Sequence, residues 1–291
     1  WGYTHSSRTG VFANFAAPIQ INFLGFPGTM GVNYIDYIVA DHTLITSKNE
    51  NHFSEKIVYM PHSYQSNLSH REISNETLSR QELGLPDKGF IFSCFNSPHK
   101  ITPMTFKSWM RILKSVEGSV LWLYCNNKDT ISNISKTASK FGIDENRIIY
   151  AKRLPVEEHL NRIKKADLFL DTLPYNAHTT ASEALRMGVP VLTLIGNSFA
   201  SRVAASLLNA VNIPELITYT QVEYESLAIE LALNSEKLGN IKSKLINNLP
   251  TSALFDCRTY TKNLELAFDA MHQRSQSGLE PDHIMVRDLM D

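Results

Sequence analysis

Four short segments carry the residue types that could do chemistry on a small charged ligand. Gly25-Phe26-Pro27-Gly28-Thr29-Met30-Gly31 sets three glycines in seven residues, and each lets a backbone amide approach sugar or phosphate oxygens closely. It has neither the Walker A nor the GxGxxG spacing, and a tight turn without a ligand explains it equally well. Asn96-Ser97-Pro98-His99-Lys100 places an ammonium beside a helix start, where the two together could hold a diphosphate. A lone lysine in such a place is more often simply solvated. Tyr175-Asn176-Ala177-His178-Thr179-Thr180 offers hydroxyls and free amides at a second helix start. Glu183, three residues on, has two readings: the far half of a capping box with Thr180, or an acceptor for ribose hydroxyls. Spacing alone favours the cap. Finally, Leu154-Pro155-Val156-Glu157-Glu158-His159, with Arg162 following, could stack an imidazole on a base and cover its edge with a guanidinium. A surface His and Arg on a helix more often do nothing specific.

Such loops work only if regular elements hold them. From residue 90 onward, short β-branched or aromatic runs alternate with amphipathic segments, the pattern of βαβ units in a parallel sheet. Strands are expected over 90–95, 120–125, 147–150, 167–171 and 190–195, with helices over 103–115, 130–141, 156–165 and 180–187 between them. Thr102 before Pro103 supplies a helix cap followed by the residue best tolerated at the first helical position. Ligands of an open parallel sheet bind beyond the carboxyl ends of its strands, so the informative residues are those just after each strand, where the four segments fall. Residues 19–24, 34–40 and 56–60 read as further strands, the tail end of another Rossmann-like unit. The polar stretch 65–87 reads as a linker, 198–208, 221–235 and 259–272 as helices, and 275–281 as a polar tail. The expected division is therefore 1–64, part of a first lobe; 65–87, linker; 88–258, a complete nucleotide-binding lobe; and 259–291, a terminal helix and tail. No repeat of solenoid period runs through these residues.

Composition narrows the function. The 291 residues are 43% hydrophobic, enough for a substantial core, and the net charge of -1 leaves no broad attraction for nucleic acid. The uncharged stretch 187–201 is too short for a membrane span and is broken by Pro190, Gly196 and Asn197. Cys94, Cys125 and Cys257 are odd in number and widely spaced, so a reducing cytoplasmic setting is expected. No HExxH, DxD or dense ligand cluster appears, and a metal-independent reaction with no cofactor is the expectation. Trp1 is not an initiator methionine, so the chain is expected to start within a longer protein.

Together these segments resemble the catalytic region of the nucleocytoplasmic protein O-GlcNAc transferases and their SPINDLY-type relatives. The likeness is carried by Gly2-Tyr3-Thr4, Ala17-Pro18-Ile19-Gln20, Leu24-Gly25-Phe26-Pro27-Gly28-Thr29, Met60-Pro61-His62, Phe95-Asn96 and Lys100-Ile101. It continues through Glu157-Glu158-His159, Leu170-Asp171-Thr172, His178-Thr179-Thr180, the run Ala200-Ser201-Arg202-Val203-Ala204-Ala205-Ser206, and Pro281-Asp282-His283. The resemblance implies an α/β protein of GT-B type, its C-terminal Rossmann-like domain complete and its N-terminal one partial. It implies that Lys100 binds the leaving diphosphate, that His178, Thr179 and Thr180 hold the phosphates, and that Glu183 binds the ribose. By the same likeness His159 lies against the base and diphosphate, Arg162 near the base, and the loop bearing Gly28 and Thr29 approaches the sugar. Ser97 stands where the animal enzymes carry a glutamine near the diphosphate, and Val156 where they carry a lysine near the base.

The implied activity is inverting transfer of N-acetylglucosamine from UDP to Ser or Thr of a polypeptide acceptor, with upstream helical repeats engaging that acceptor. The same fold accommodates GDP-fucose or UDP-glucose as donor, a sugar-nucleotide epimerase, or a nucleotide-binding piece that cannot turn over alone.

Overall fold

The structure, a computed structural model, describes residues 3, 6–74 and 78–287. Gly2 and Thr4 of the first matching motif lie outside them.

In chain order the first strands are β1 (Ile21–Asn22), β2 (Tyr37–Asp41) and β3 (Lys56–Met60), followed by β4 (Ile91–Cys94), α1 (Pro103–Ser115) and β5 (Val120–Tyr124). Then come α2 (Lys128–Lys140), β6 (Ile148–Ala151), α3 (Val156–Ile163), β7 (Leu168–Leu170), α4 (Thr179–Arg186) and β8 (Val191–Leu194). The chain continues through α5 (Val203–Ala210), β9 (Ile217–Thr218), α6 (Gln221–Leu233), α7 (Ser235–Asn248), α8 (Cys257–Gln276) and β10 (Ile284–Met285).

Two parallel sheets result. One has the order β1-β2-β3-β10, the other β6-β5-β4-β7-β8-β9. β4 is central in the larger sheet, with Ile91 opposite Val120 of β5 and Phe92 opposite Leu168 of β7. All four of its residues are buried, as expected for a parallel strand covered by helices on both faces. α1 starts as the sequence predicts: the Thr102 hydroxyl accepts from the Thr105 amide at 3.2 Å, Pro103 takes the first helical position, and Trp109, Met110 and Leu113 reach the core. Tight joins need glycine: Gly89 has φ +105°, and a Cβ there would sit 2.3 Å from the Gly118 carbonyl oxygen.

The described parts of the linker stretch, 65–74 and 78–87, lie against the rest of the protein: Arg186 bonds the Leu68 and Ser69 carbonyls, the Ser74 amide bonds the Glu157 carbonyl at 3.3 Å, and Leu85 is buried. Two expectations need correction. The predicted helix 221–235 stops at Asn234, whose side chain caps a further helix, α7, that the polar sequence had concealed. The polar tail expected over 275–281 does not end the regular structure. α8 runs through Gln276 and buries Ala267 and Met271 against Tyr37, Val39, Val58 and Met60 of the smaller sheet. β10 then pairs with β3, and His283 Nδ1 accepts from the Ile57 amide at 3.0 Å.

A buried clasp joins the sheets. Asp41, at the end of β2, accepts from the amides of Thr43, Leu44 and Tyr64 and from Ser206 Oγ of α5 at 2.6 Å. Arg202 donates to the Thr43 carbonyl at 2.6 Å and to the Gly196 carbonyl at 2.9 Å. The run 200–206 thus holds one lobe against the other.

Candidate functional site

Numbered within its own lobe, the larger sheet reads 3-2-1-4-5-6, and its order reverses between β4 and β7. A parallel sheet opens a crevice at such a switch point, because the connections on its two sides leave in opposite directions. The segments containing Lys100 and residues 171–180 are the two that leave the sheet there.

Side chains tie those segments together. Asn96, nearly fully buried, donates from Nδ2 to Thr172 Oγ1 at 2.8 Å and accepts at Oδ1 from Thr180 Oγ1 at 2.5 Å. Thr105 Oγ1 donates to the Leu173 carbonyl at 3.0 Å. The Lys100 ammonium donates to the Asn176 carbonyl at 2.8 Å. Lys100 and Asn176, 76 residues apart and the latter three residues before α4, therefore bring lysine and helix start into one site.

Beneath it lies Asp171. Its carboxylate accepts from the amides of Thr172 at 2.7 Å and Ala177 at 2.6 Å and from Thr193 Oγ1 at 2.7 Å, which folds the 172–177 loop around it. Burial lifts its pKa to about 6, while those bonds and Lys100 pull the other way. Burial lowers the pKa of Lys100, and the charge of Asp171 opposes that shift. His178 is driven down to about 3, first by burial and then by the neighbouring ammonium, so its imidazole is neutral at physiological pH.

α4 begins at Thr179, with His178 in the cap position and no side-chain cap bond. The first in-helix bond of this turn is made by the Ser182 amide to the His178 carbonyl at 3.1 Å. The amides of Thr179, Thr180 and Ala181 precede it and face out of the helix start, the arrangement that favours an anion. The capping-box reading of Glu183 is overturned. Its Oε2 lies 3.7 Å from His159 Nε2 and its Oε1 3.8 Å from Arg71 Nη1, so both oxygens point to side chains instead of the backbone of the cap.

His159 sits edge-on to the Phe95 ring, centroids 5.2 Å apart. Arg162 stands behind it. Only 4% exposed, the guanidinium donates to His159 Nδ1 at 3.0 Å and to the Lys152 carbonyl at 2.6 Å, and it lies over the Phe95 ring. Burial lowers its pKa to about 10, still well above neutrality. The geometry gives Arg162 the orientation of His159 instead of an open edge for a base.

Ser97 is exposed and makes no side-chain cap bond, and its carbonyl accepts from the Lys100 amide at 3.0 Å. Gly28 and Thr29 lie in the other lobe. Thr29 Oγ1 donates to Glu55 Oε2 at 2.6 Å, the Met30 amide donates to Glu55 Oε1 at 2.7 Å, and Asn22 Nδ2 holds the Gly28 carbonyl at 2.9 Å. Gly31, at φ +63°, makes the turn. The Thr29 hydroxyl is thus committed to Glu55, and the bonds of this loop run within its own lobe.

Sequence reasoning gave no role to Asp171, Asn96, Tyr175 or Arg71. The signal for Asp171 was a carboxylate directly after a core strand; for Arg71, 112 positions from Glu183, no local pattern exists. Among the described residues, no group of three or more His, Cys, Asp or Glu side chains could hold a metal ion, and no helix is long and apolar enough to cross a membrane.

The glycosyl transferase family 41 description matches residues 1–75 and 67–264. A probable UDP-N-acetylglucosamine–peptide N-acetylglucosaminyltransferase SEC of Arabidopsis thaliana is 37% identical over 98% of this chain, which covers 30% of the relative. A UDP-N-acetylglucosamine–peptide N-acetylglucosaminyltransferase of Caenorhabditis elegans is 28% identical over 97% of the chain and 34% of the relative. This chain therefore spans about a third of the length of these curated relatives. Among solved structures, a lysine-to-methionine mutant of Thermobaculum terrenum O-GlcNAc transferase superposes with TM-score 0.80 at 28% identity, covering 92% of this chain and 51% of that one. Anabaena Alr3699/HepE, solved with UDP and glucose, superposes with TM-score 0.58 at 15% identity, over 81% of this chain and 64% of the other, and shares the fold. The architecture is GT-B. With both lobes matched in order along the sequence, the chain belongs to glycosyltransferase family 41.

Proposed function

We propose that this chain forms the donor-holding part of a protein glycosyltransferase that moves N-acetylglucosamine from UDP to a Ser or Thr hydroxyl, with inversion and without a metal. One observation carries the reading. The Lys100 ammonium and the exposed start of α4 are joined through Asn176 at the switch point of the larger sheet. In the transfer, the acceptor oxygen forms a bond to the anomeric carbon and releases its proton to a base, while the bond from that carbon to the diphosphate breaks, leaving its electron pair on phosphate. Charge grows on the leaving group. Lys100 and the amides of Thr179 and Thr180 are positioned to meet it with dipoles already fixed, so little reorganisation is needed during the reaction. That pairing fills the role a divalent cation takes in other transferases, which is the physical ground for a metal-independent reaction.

His159 and Glu183 supply the nucleoside side, the first against the base and diphosphate, the second toward the ribose, with Arg162 fixing the imidazole. Ser97, exposed beside Lys100, and the loop of Gly28 and Thr29 in the facing lobe belong to the sugar end. The relatives, UDP-N-acetylglucosamine–peptide N-acetylglucosaminyltransferases by name, support this donor and a polypeptide acceptor. A cytoplasmic setting, suggested by three unpaired cysteines, belongs to the same reading.

Calorimetry tests the donor. UDP is expected to bind and GDP to fail to displace it, because a mismatched base leaves buried polar groups unpaired. Displacement by GDP at equal concentration would overturn the UDP assignment in favour of a guanosine donor. In the protein that carries this chain, incubation with UDP-N-acetylglucosamine and a Ser/Thr peptide is expected to add one N-acetylhexosamine per modified site, read by mass spectrometry. Free UDP with an isomerised sugar and unmodified peptide would mark an epimerase instead.

A further inference from the structure

Tyr175 stands between the two groups assigned to the diphosphate. Its ring stacks on the His178 imidazole, centroids 5.0 Å apart and planes 23° apart. Lys100 Nζ lies 4.0 Å from the centroid of the same ring. The next residue, Asn176, is fully buried, and its carbonyl accepts from that ammonium at 2.8 Å. The ammonium is therefore held by one carbonyl and one aromatic face.

This combination matters because an ammonium has three donors. The carbonyl uses one. A ring face attracts the charge without providing a strong hydrogen-bond acceptor, so two N–H groups remain for an incoming anion. Lysine has much rotamer freedom to lose, and the ring and carbonyl restrict it before a ligand arrives. Tyr175 itself is 36% exposed, so its ring belongs to the surface of the site, and trimming it opens no void in the core.

We propose that Tyr175 is a positioning residue whose ring sets the Lys100 ammonium and the His178 imidazole to receive the terminal phosphate of a nucleoside diphosphate. This rests on the reading of Lys100 as a diphosphate ligand.

The test is calorimetry of the 291-residue chain with UDP and with UMP, which lacks the terminal phosphate, across four variants. Tyr175→Phe keeps the ring and is expected to bind both nucleotides as the parent does. Tyr175→Met and Tyr175→Leu remove the ring in two shapes, so that misfolding of one variant does not decide the outcome. Each is expected to lose UDP affinity by about 3- to 30-fold, the range of a partly desolvated cation–π contact, with UMP affinity held within about twofold. Equal losses for UDP and UMP would show a general structural role and overturn the proposal. So would a Tyr175→Phe variant as weak as Tyr175→Met. Lys100→Met separates the two levels of inference. If it lowers UDP affinity relative to UMP while the Tyr175 variants do not, only the role of Tyr175 fails. If it leaves the ratio unchanged, the reading of Lys100 itself fails.

Discussion

Replacing Lys100 by methionine keeps the length and apolar stem of the side chain and removes only its charge and donors. In the folded chain that ammonium is half-buried, bonded to Asn176 and backed by Asp171. Two unit charges about 4 Å apart at an effective dielectric of about 20 attract by about 4 kcal/mol. Partial solvent access and the opposing carboxylate of Asp171 reduce this, leaving about 3–4 kcal/mol for charge that develops on a leaving phosphate. Turnover in the protein carrying this chain is therefore expected to fall by roughly 10²–10³ in Lys100→Met, with circular dichroism and melting temperature close to the parent's. The assay is initial rate of UDP release at saturating donor and peptide, which isolates the chemical step from weaker binding. A variant that folds and turns over at the parental rate would refute the argument, because nothing else in the 96–100 segment supplies a fixed positive charge at that place.

Asp171→Asn probes the layer beneath. The carboxyl pKa of about 6 in the folded chain lies above the ordinary value of 3.8, so the folded state takes up this proton first as pH falls. Asp171 therefore costs stability above about pH 6, and that cost is relieved between about 6 and 4. Relative to the parent, Asp171→Asn should gain about 2 kcal/mol on going from pH 4.5 to pH 7.5 in urea titrations; a pH-independent difference would sink the claim. His178, depressed to about 3, contributes the opposite slope, losing stability as pH falls below about 6.5, and its ring resonances should not shift between pH 8 and pH 5 by NMR. A midpoint near 6.5 would show that the imidazole is not buried beside an ammonium. Arg162→Met removes two charge-assisted bonds from a buried guanidinium, and about 2–4 kcal/mol of stability and a melting temperature about 5–10 °C lower are expected by calorimetry. An unchanged melting temperature would mean that the guanidinium is dispensable to the fold.

Local chemistry made much of this protein legible before any coordinates. Thr102-Pro103 with Phe106, Trp109, Met110 and Leu113 defines α1 from Pro103 to Ser115, because cap, first-turn proline and a 3.6-residue apolar period agree. The core strands of the larger sheet were equally plain, since a parallel strand buried on both faces must be a continuous apolar run. Two elements were not legible: α7 carries Leu238, Ile241 and Leu245 at helical spacing, but in a mostly polar segment that only Asn234 separates from α6, and β10 is two residues long, defined by its pairing with β3.

The candidate site divides along the same line. That Lys100 and the His178–Thr180 segment were each suited to an anion followed from residue type and adjacency to a helix start. That they share one crevice depends on β4 and β7 being neighbours, a pairing between residues 76 apart that no short window contains. The same limit explains Glu183. Its spacing from Thr180 suits a capping box, but the helix begins one residue earlier, at Thr179, and the carboxylate turns to His159 and Arg71, brought close by the packing of α3 and of the 65–87 stretch. Sequence determines what a residue can do and which local element it favours, because those depend on side-chain chemistry and near neighbours. Which groups face one another, how deeply each is buried and hence which protons they hold are decided only when distant segments close around a common core.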